Sequence, residues 1–320
     1  MDSIGLSGII GQIRKDFSDH DIGLDEYILD GLSTLVGCML SEKTPNLMVL
    51  AEALPRDIAL AENRYQYIRR HLRRDELCVD TVMSSYAASL LQASSDKNGV
   101  AVLAMDQSSL GDGRECLMVS VRYGKRALPL LWEVVKTKGA IGWDVQERLL
   151  GRLTEILPIG QKIMLTADRF YGTHTLVQFC KDWGWSYRIR LKGNLIFHHN
   201  DGTITTTEAH KKGMTSLQHA TFHKTDVTTH IGILQDKGHE EPWFIAMDAT
   251  PSRRTILDYG KRWSIESMFS DFKSRGFGIT QSKLTDCKRM ERLILVMALA
   301  LIFATGVGIN NQHTYSQKNA

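Results

Sequence analysis

The chain has 320 residues, 43% of them hydrophobic and 23% charged, the balance of an ordinary soluble globular protein with material for two domains. A formal net charge of +3 excludes a strongly basic or acidic chain, so affinity for nucleic acid has to come from local clusters of cations, at 64–74 and 253–273. Five cysteines without a CxxC pair or zinc spacing, and an N-terminus without the basic stretch of a signal peptide, lead to the expectation of reduced thiols and a cytoplasmic protein.

Residues 1 to about 95 show helical periodicity and little that looks like strand. Thr44-Pro45 reads as a helix start followed by Leu47, Val49, Leu50 and Leu54. After a Pro55-Arg56-Asp57 turn, a second helix is expected from about Ile58 to Arg74. Two short helices joined by a tight turn are compatible with helix-turn-helix DNA binding. The second is amphipathic and cationic, which makes Arg64, Arg69, Arg70 and Arg73 candidate phosphate contacts. Polar Ala93 to Asn98 reads as a linker.

From Val100 the texture changes. Val100 to Asp106, Cys116 to Tyr123 and Arg126 to Val135 are strand-like and separated by Gly111-Asp112-Gly113 and Gly124-Lys125, so three antiparallel strands are expected. A helix from Asp144 to Ile156 leads to a strand ending at Asp168, and a helix from Thr173 to Trp183 leads to a strand from Ser186 to Leu191. This is a mixed sheet with crossover helices. The stretch from Gly193 to about Glu241 reads as a β-rich insertion; its histidines at 198, 199, 210, 219, 223, 230 and 239 fit no common zinc motif and are expected to face solvent or DNA. Trp243 to Met247 resumes an apolar strand before a helix from about Arg254 to Ser274. Leu293 to Ile309 is 17 residues without a charge, broken by Gly306 and Gly308, and reads as a core helix and not a membrane span.

On the expected Arg254–Ser274 helix, Tyr259, Arg262, Glu266 and Lys273 fall within about 60° of one another at ~100° per residue. Asp271 falls roughly 120° from Tyr259. A carboxylate among cations points to metal and phosphate. Hard cations such as Mg²⁺ demand several oxygen ligands, so partner acids are expected at the ends of buried strands. Asp106 and Asp168 each close an apolar run. Asp112 sits in a Gly-Asp-Gly turn that favours Asp for backbone reasons, and Asp248 is a rival acid after Met247. There is no P-loop and no Gly-x-Ser-x-Gly elbow.

This order of acids, strands and a late helix resembles the RNase H-like catalytic domain. Tyr259, Arg262, Glu266 and Lys273, at successive spacings of 3, 4 and 7, and Thr166-Ala167-Asp168-Arg169-Phe170-Tyr171-Gly172, resemble the Tyr/Arg/Glu/Lys subgroup of bacterial insertion-sequence transposases of the DDE superfamily over about residues 95–305. The resemblance implies an α/β, RNase H-like mixed sheet flanked by helices over 96–310, a β-rich insertion at 193–241, an N-terminal helical DNA-binding domain over 1–95 and a tail at 311–320. It implies that Asp106, Asp168 and Glu266 hold two divalent ions, Mg²⁺ or Mn²⁺. Such an enzyme binds the terminal inverted repeats of an insertion sequence, cleaves phosphodiester bonds and transfers the 3′-OH ends to target DNA. Double-stranded DNA is the implied partner, with a homodimer pairing two ends. Arg262 and Lys273 are then expected to clamp phosphates near the cleaved end, Tyr259 to donate a hydrogen bond to phosphate, and Trp243 to stack on a base. Larger relatives continue past the late helix into a dimerisation region, whereas this sequence ends at Ala320. The alternatives are a DNA-binding regulator without catalysis and a metal-dependent nuclease without strand transfer.

Overall fold

In the computed structural model, residues 5–200, 202–235 and 241–318 are described, Ser274 and 307–318 by backbone alone. Five helices come first: α1 (Leu6–Asp19), α2 (Glu26–Glu42), α3 (Leu47–Glu52), α4 (Ala61–His71) and α5 (Val79–Ser94). Asp25 starts α2, its carboxylate accepting the Tyr27 N–H at 2.8 Å. Most of α2 from Gly31 to Met39 is buried, which fits a helix covered on more than one side, here by α1 and by α10 (Cys287–Lys318). The Thr-Pro pair precedes α3 instead of opening it. Thr44 Oγ1 accepts the Asn46 N–H at 3.2 Å, and Asn46 is the cap, accepting from Met48 N–H at 3.0 Å. Eight residues then separate α3 from α4, longer than the three or four of a helix-turn-helix. Arg56, in that connection, is tied to Asp30 and Thr34 of α2, which holds the segment along α2 and delays the start of α4 to Ala61.

The strands are β1 (Val100–Gly111), β2 (Arg114–Tyr123), β3 (Arg126–Lys136), β4 (Lys162–Ala167), β5 (Ser186–Arg190), β6 (Ile196–His199), β7 (Gly202–Thr205), β8 (Met214–Phe222), β9 (Thr228–Leu234) and β10 (Trp243–Met247). Among the described residues they form one sheet in the order β3-β2-β1-β4-β5-β10-β9-β8-β6-β7. The first three are antiparallel, and β4 and β5 run parallel to β1 after crossover helices α6 (Trp143–Ile156) and α7 (His174–Asp182). This is the mixed α/β sheet of an RNase H-like domain. In α6 the buried Val145, Leu149, Leu150 and Leu153 recur at helical spacing and form the stripe laid on the sheet. The insertion is not a separate module, because β9 pairs with β10 and so prolongs the same sheet.

Strand β1 runs five residues past its expected end at Asp106. Asp112 and Gly113 both take positive φ, 50° and 71°, which makes a tight two-residue loop and keeps the ladder paired to Gly111 and Arg114. Asp112 therefore has the turn role expected of it, and its carboxylate accepts from Arg114 at 2.9 Å.

After β10 the chain is helical from Arg253 to Arg275 in four pieces: α8 (Arg253–Leu257), a 3₁₀ turn (Asp258–Trp263), α9 (Ser264–Ser270) and a π turn (Asp271–Arg275). Helix α10 then buries every residue from Met290 to Leu301. No helix among the described residues is long and apolar enough to cross a membrane. One continuous apolar core runs from α1 through the sheet to α10. Polar ties cross it too: Arg292 of α10 donates to the carbonyls of Leu72 and Leu77, each at 3.2 Å, and Arg152 of α6 joins Asp80 of α5 to Glu133 of β3. Cys38, Cys116 and Cys180 are buried thiols, while Cys78 is exposed.

Candidate active site

Register brings two acids together. The last pair between the parallel strands β1 and β4 is Met105 with Ala167, so Asp106 and Asp168 are the next residues on each side, about one strand spacing (~4.8 Å) apart. Asp106 lies within β1, because β1 stays paired to β2 beyond this point; Asp168 begins the turn to α7. Its Oδ1 accepts the Arg169 N–H at 2.6 Å, and Gly172 closes the turn where a Cβ would strike the Arg190 carbonyl. The Asp106 side chain is 18% exposed. Burial pushes its carboxyl up to about 6, and Asp168 and Glu266 add to the push, against the pull of Arg262 and the Gln107 N–H.

The third acid arrives on α9 with a guanidinium between it and the first. Arg262 Nη1 donates to Asp106 Oδ2 at 2.8 Å, Nη2 donates to Glu266 Oε1, and Nε donates to Tyr259 Oη at 3.0 Å. The local helix type produces this. In a 3₁₀ turn residues i and i+3 eclipse, which stacks Arg262 on Tyr259, and the switch to α-helix at Ser264 sets Glu266 one turn further on. The single α-helical face expected from spacing is thus a composite of three helix types. Lys273 lies in the π turn, whose wider turns advance each residue less than ~100°, so it is rotated off the line through Glu266. Its charge is felt at the Cys116 thiol of β2.

Arg262 is only 6% exposed. Burial opposes its charge, but Tyr259, Asp106, Glu266 and Asp168 together outweigh that and hold it firmly protonated. Tyr259 is buried, its hydroxyl pushed up to about 12 by burial against the pull of Arg262. Glu266 is the open member of the set at 56% exposed.

Trp243 is 8% exposed and packs its ring edge-on against Tyr259, at 5.2 Å between centroids, and against Trp263, at 5.6 Å. The aromatic surface on the rim is that of Trp263, which is 48% exposed and was not singled out by sequence. Its position directly after Arg262 was the available signal. Arg190 was missed too. Ala167 pairs with Ile189, so Arg190 lies abreast of Asp168, and together with Arg169 it meets Glu241 at 3.4 and 3.3 Å. Lys192 lies over the ring of exposed Phe170 at 5.8 Å. Asp248 is remote from this chemistry: Ser186, the Tyr187 N–H and Arg188 saturate it at the opposite end of β5.

Arg64, Arg69, Arg70 and Arg73 belong to a different surface, on and just after α4; Arg70 and Arg73 are exposed, and Arg69 lies over the Tyr65 ring at 5.5 Å. In the insertion, His198 and His223 are hydrogen-bonded at 3.1 Å and His219 packs edge-on against His230. His239 lies outside the described residues.

Among the described residues no three His, Cys, Asp or Glu side chains converge closely enough to hold an ion as they stand. The donor set nevertheless fits a hard divalent cation: three carboxylates gather here, and two already share a cation, the Arg262 guanidinium. No curated protein matches the chain. A family model described as the transposase DDE domain matches residues 144–303, from α6 into α10, and takes in Asp168 and Glu266. With that match spanning half of its 320 residues, the chain belongs to the transposase DDE domain family, a family of transposase-type nucleases.

Proposed function

We propose that this protein is a DNA transposase that binds the terminal inverted repeats of an insertion sequence, cuts phosphodiester bonds and joins the freed 3′-OH ends to target DNA. The observation that carries the reading is the side-by-side placement of Asp106, within β1, and Asp168, just past the end of β4, with Glu266 joined to Asp106 through one guanidinium. Asp106, Asp168 and Glu266 would hold two divalent ions, Mg²⁺ or Mn²⁺. Bound there, such ions supply Lewis-acid stabilisation of charge on the attacking and leaving oxygens. The chain's own side chains orient the DNA. Arg262 and Lys273 take phosphate oxygens near the cut, Arg190 and Arg169 extend that contact beside Asp168, and Tyr259 holds the Arg262 fork in position. Trp243 acts through Trp263, whose ring it supports and which presents the exposed stacking face. The arginines at 64, 69, 70 and 73 contact phosphates further along the repeat, and two copies of the chain pair two DNA ends.

The test is cleavage of labelled duplex from the flanks of the gene in Mg²⁺, with joined products resolved, comparing wild type with Glu266→Gln. Cleavage and joining in wild type alone support the transposase. Cleavage without joined products would leave a nuclease, and binding without cleavage in both proteins would leave a DNA-binding regulator.

A further inference from the structure

We infer that Arg262 is a resident counter-cation which keeps divalent ions out of the Asp106–Glu266 side of the site until a DNA phosphate draws it away. This rests on the reading of Asp106, Asp168 and Glu266 as the ion-binding acids. Both oxygens of Asp106 are engaged, Oδ2 by Arg262 at 2.8 Å and Oδ1 by the Gln107 N–H at 2.9 Å. Glu266 gives one oxygen to the same guanidinium. A Mg²⁺ ion sits about 2.1 Å from its oxygens, inside the N···O distance of an ion pair, so it cannot share that edge of Asp106 with the guanidinium. Loading the site therefore requires Arg262 to leave.

The guanidinium is held there by more than the acids. Its Nε donates to Tyr259 Oη, and the Tyr259 ring is fixed in an apolar cluster with Trp243, Ile245, Met247 and Ile256. With three of five N–H donors used, two remain to engage a phosphate before the acids are released. Charge decides the order of events. Three carboxylates and one guanidinium are net negative and tolerate Arg262; two divalent ions would reverse the sign and repel it. A phosphate beside the site supplies negative charge to receive the displaced guanidinium, whose planar fork matches phosphate oxygens. Phosphate binding and ion binding then strengthen each other by the same factor, because linkage is reciprocal.

The experiment measures Mn²⁺ binding to the full chain from the paramagnetic resonance signal of free ion, with and without a duplex of arbitrary sequence. It compares wild type with Arg262→Gln, Tyr259→Phe and Asp106→Asn, the last removing the acid that Arg262 covers. Without DNA, Arg262→Gln is expected to bind Mn²⁺ on the order of tenfold more tightly than wild type, within the usual 5–150-fold span of such couplings, with Tyr259→Phe between them. Adding duplex should tighten wild type about tenfold and Arg262→Gln much less. Equal affinities in wild type, Arg262→Gln and Tyr259→Phe, with Asp106→Asn losing the ion, overturn the inference and leave the acids as ion ligands. No difference between Asp106→Asn and wild type overturns both. Should Arg262→Gln fail to fold by circular dichroism, Tyr259→Phe, which keeps the ring in its cluster, decides the question alone: affinity no higher than wild type overturns the inference.

Discussion

Two titratable residues, the half-buried Asp106 and the buried His71, tilt stability with pH in opposite senses. Burial pushes the Asp106 carboxyl from its ordinary 3.8 up to about 6, so between those values the native state holds a proton that the unfolded chain gives up. Stability therefore falls as pH rises through that window and then levels, a loss of roughly 3 kcal/mol. Asp106→Asn is expected to abolish cleavage and yet raise the urea midpoint at pH 7, while at pH 4 the difference from wild type should vanish. His71 works the other way. Burial, then Arg74 and Arg56, lower it to about 4, and both ring nitrogens are buried without a hydrogen-bond partner. Its contribution is complete above pH ~6.5 and lost as pH falls toward 4, again roughly 3 kcal/mol. His71→Leu is expected to flatten that acid limb and to add about 1–3 kcal/mol at pH 5 by removing an unsatisfied polar group. A denaturation series across pH checks both signs.

At the scale of elements, hydrophobic runs and turn residues were enough to locate the meander and both crossover helices, but Asp106, read as a strand end, lies within β1 because pairing with β2 carries the strand on to Gly111. The composite helix was not legible. Spacings of 3, 4 and 7 read as one face on a regular α-helix, at about 100° per residue, and nothing in the residue types marks where the 3₁₀ and π turns replace it. Which type forms is decided by packing of Tyr259 against Trp243 and by the closure at Gly276, whose Cβ would lie 2.5 Å from the Asp271 carbonyl oxygen. Gly276→Ala is accordingly expected to open the π turn, cost about 1–3 kcal/mol and shift Lys273, read as a lower denaturation midpoint with weakened binding of cut-end DNA. The start of α3 was missed for a related reason: Thr44-Pro45 has the signature of a helix cap, but a side-chain turn at Asn46 captured it. Arg262 between two acids was beyond sequence as well, since it depends on β1 lying under the 3₁₀ turn, a contact between residues 156 positions apart.

In the whole molecule the N-terminal helices and the sheet share one apolar core, so they are expected to unfold together. Far-ultraviolet circular dichroism and tryptophan fluorescence should report coincident transitions. Arg152→Met, which takes from Glu133 one of its two arginines and from Asp80 its hydrogen-bonded arginine among the described residues, should lower that common midpoint, at a cost of about 1–3 kcal/mol, while Arg148 still holds Glu133.

The unbroken ladder from β1 to β7 has a metric consequence. Seven inter-strand steps of about 4.8 Å make roughly 34 Å in a flat sheet, the rise of one turn of B-form duplex. Each step is hydrogen-bonded, so the insertion is carried on the same sheet as the acids. At about 20–25° of twist per step the far rim is turned by roughly 150° from the acid-bearing centre, so a graft that lengthened the insertion by one hairpin would both displace and rotate it.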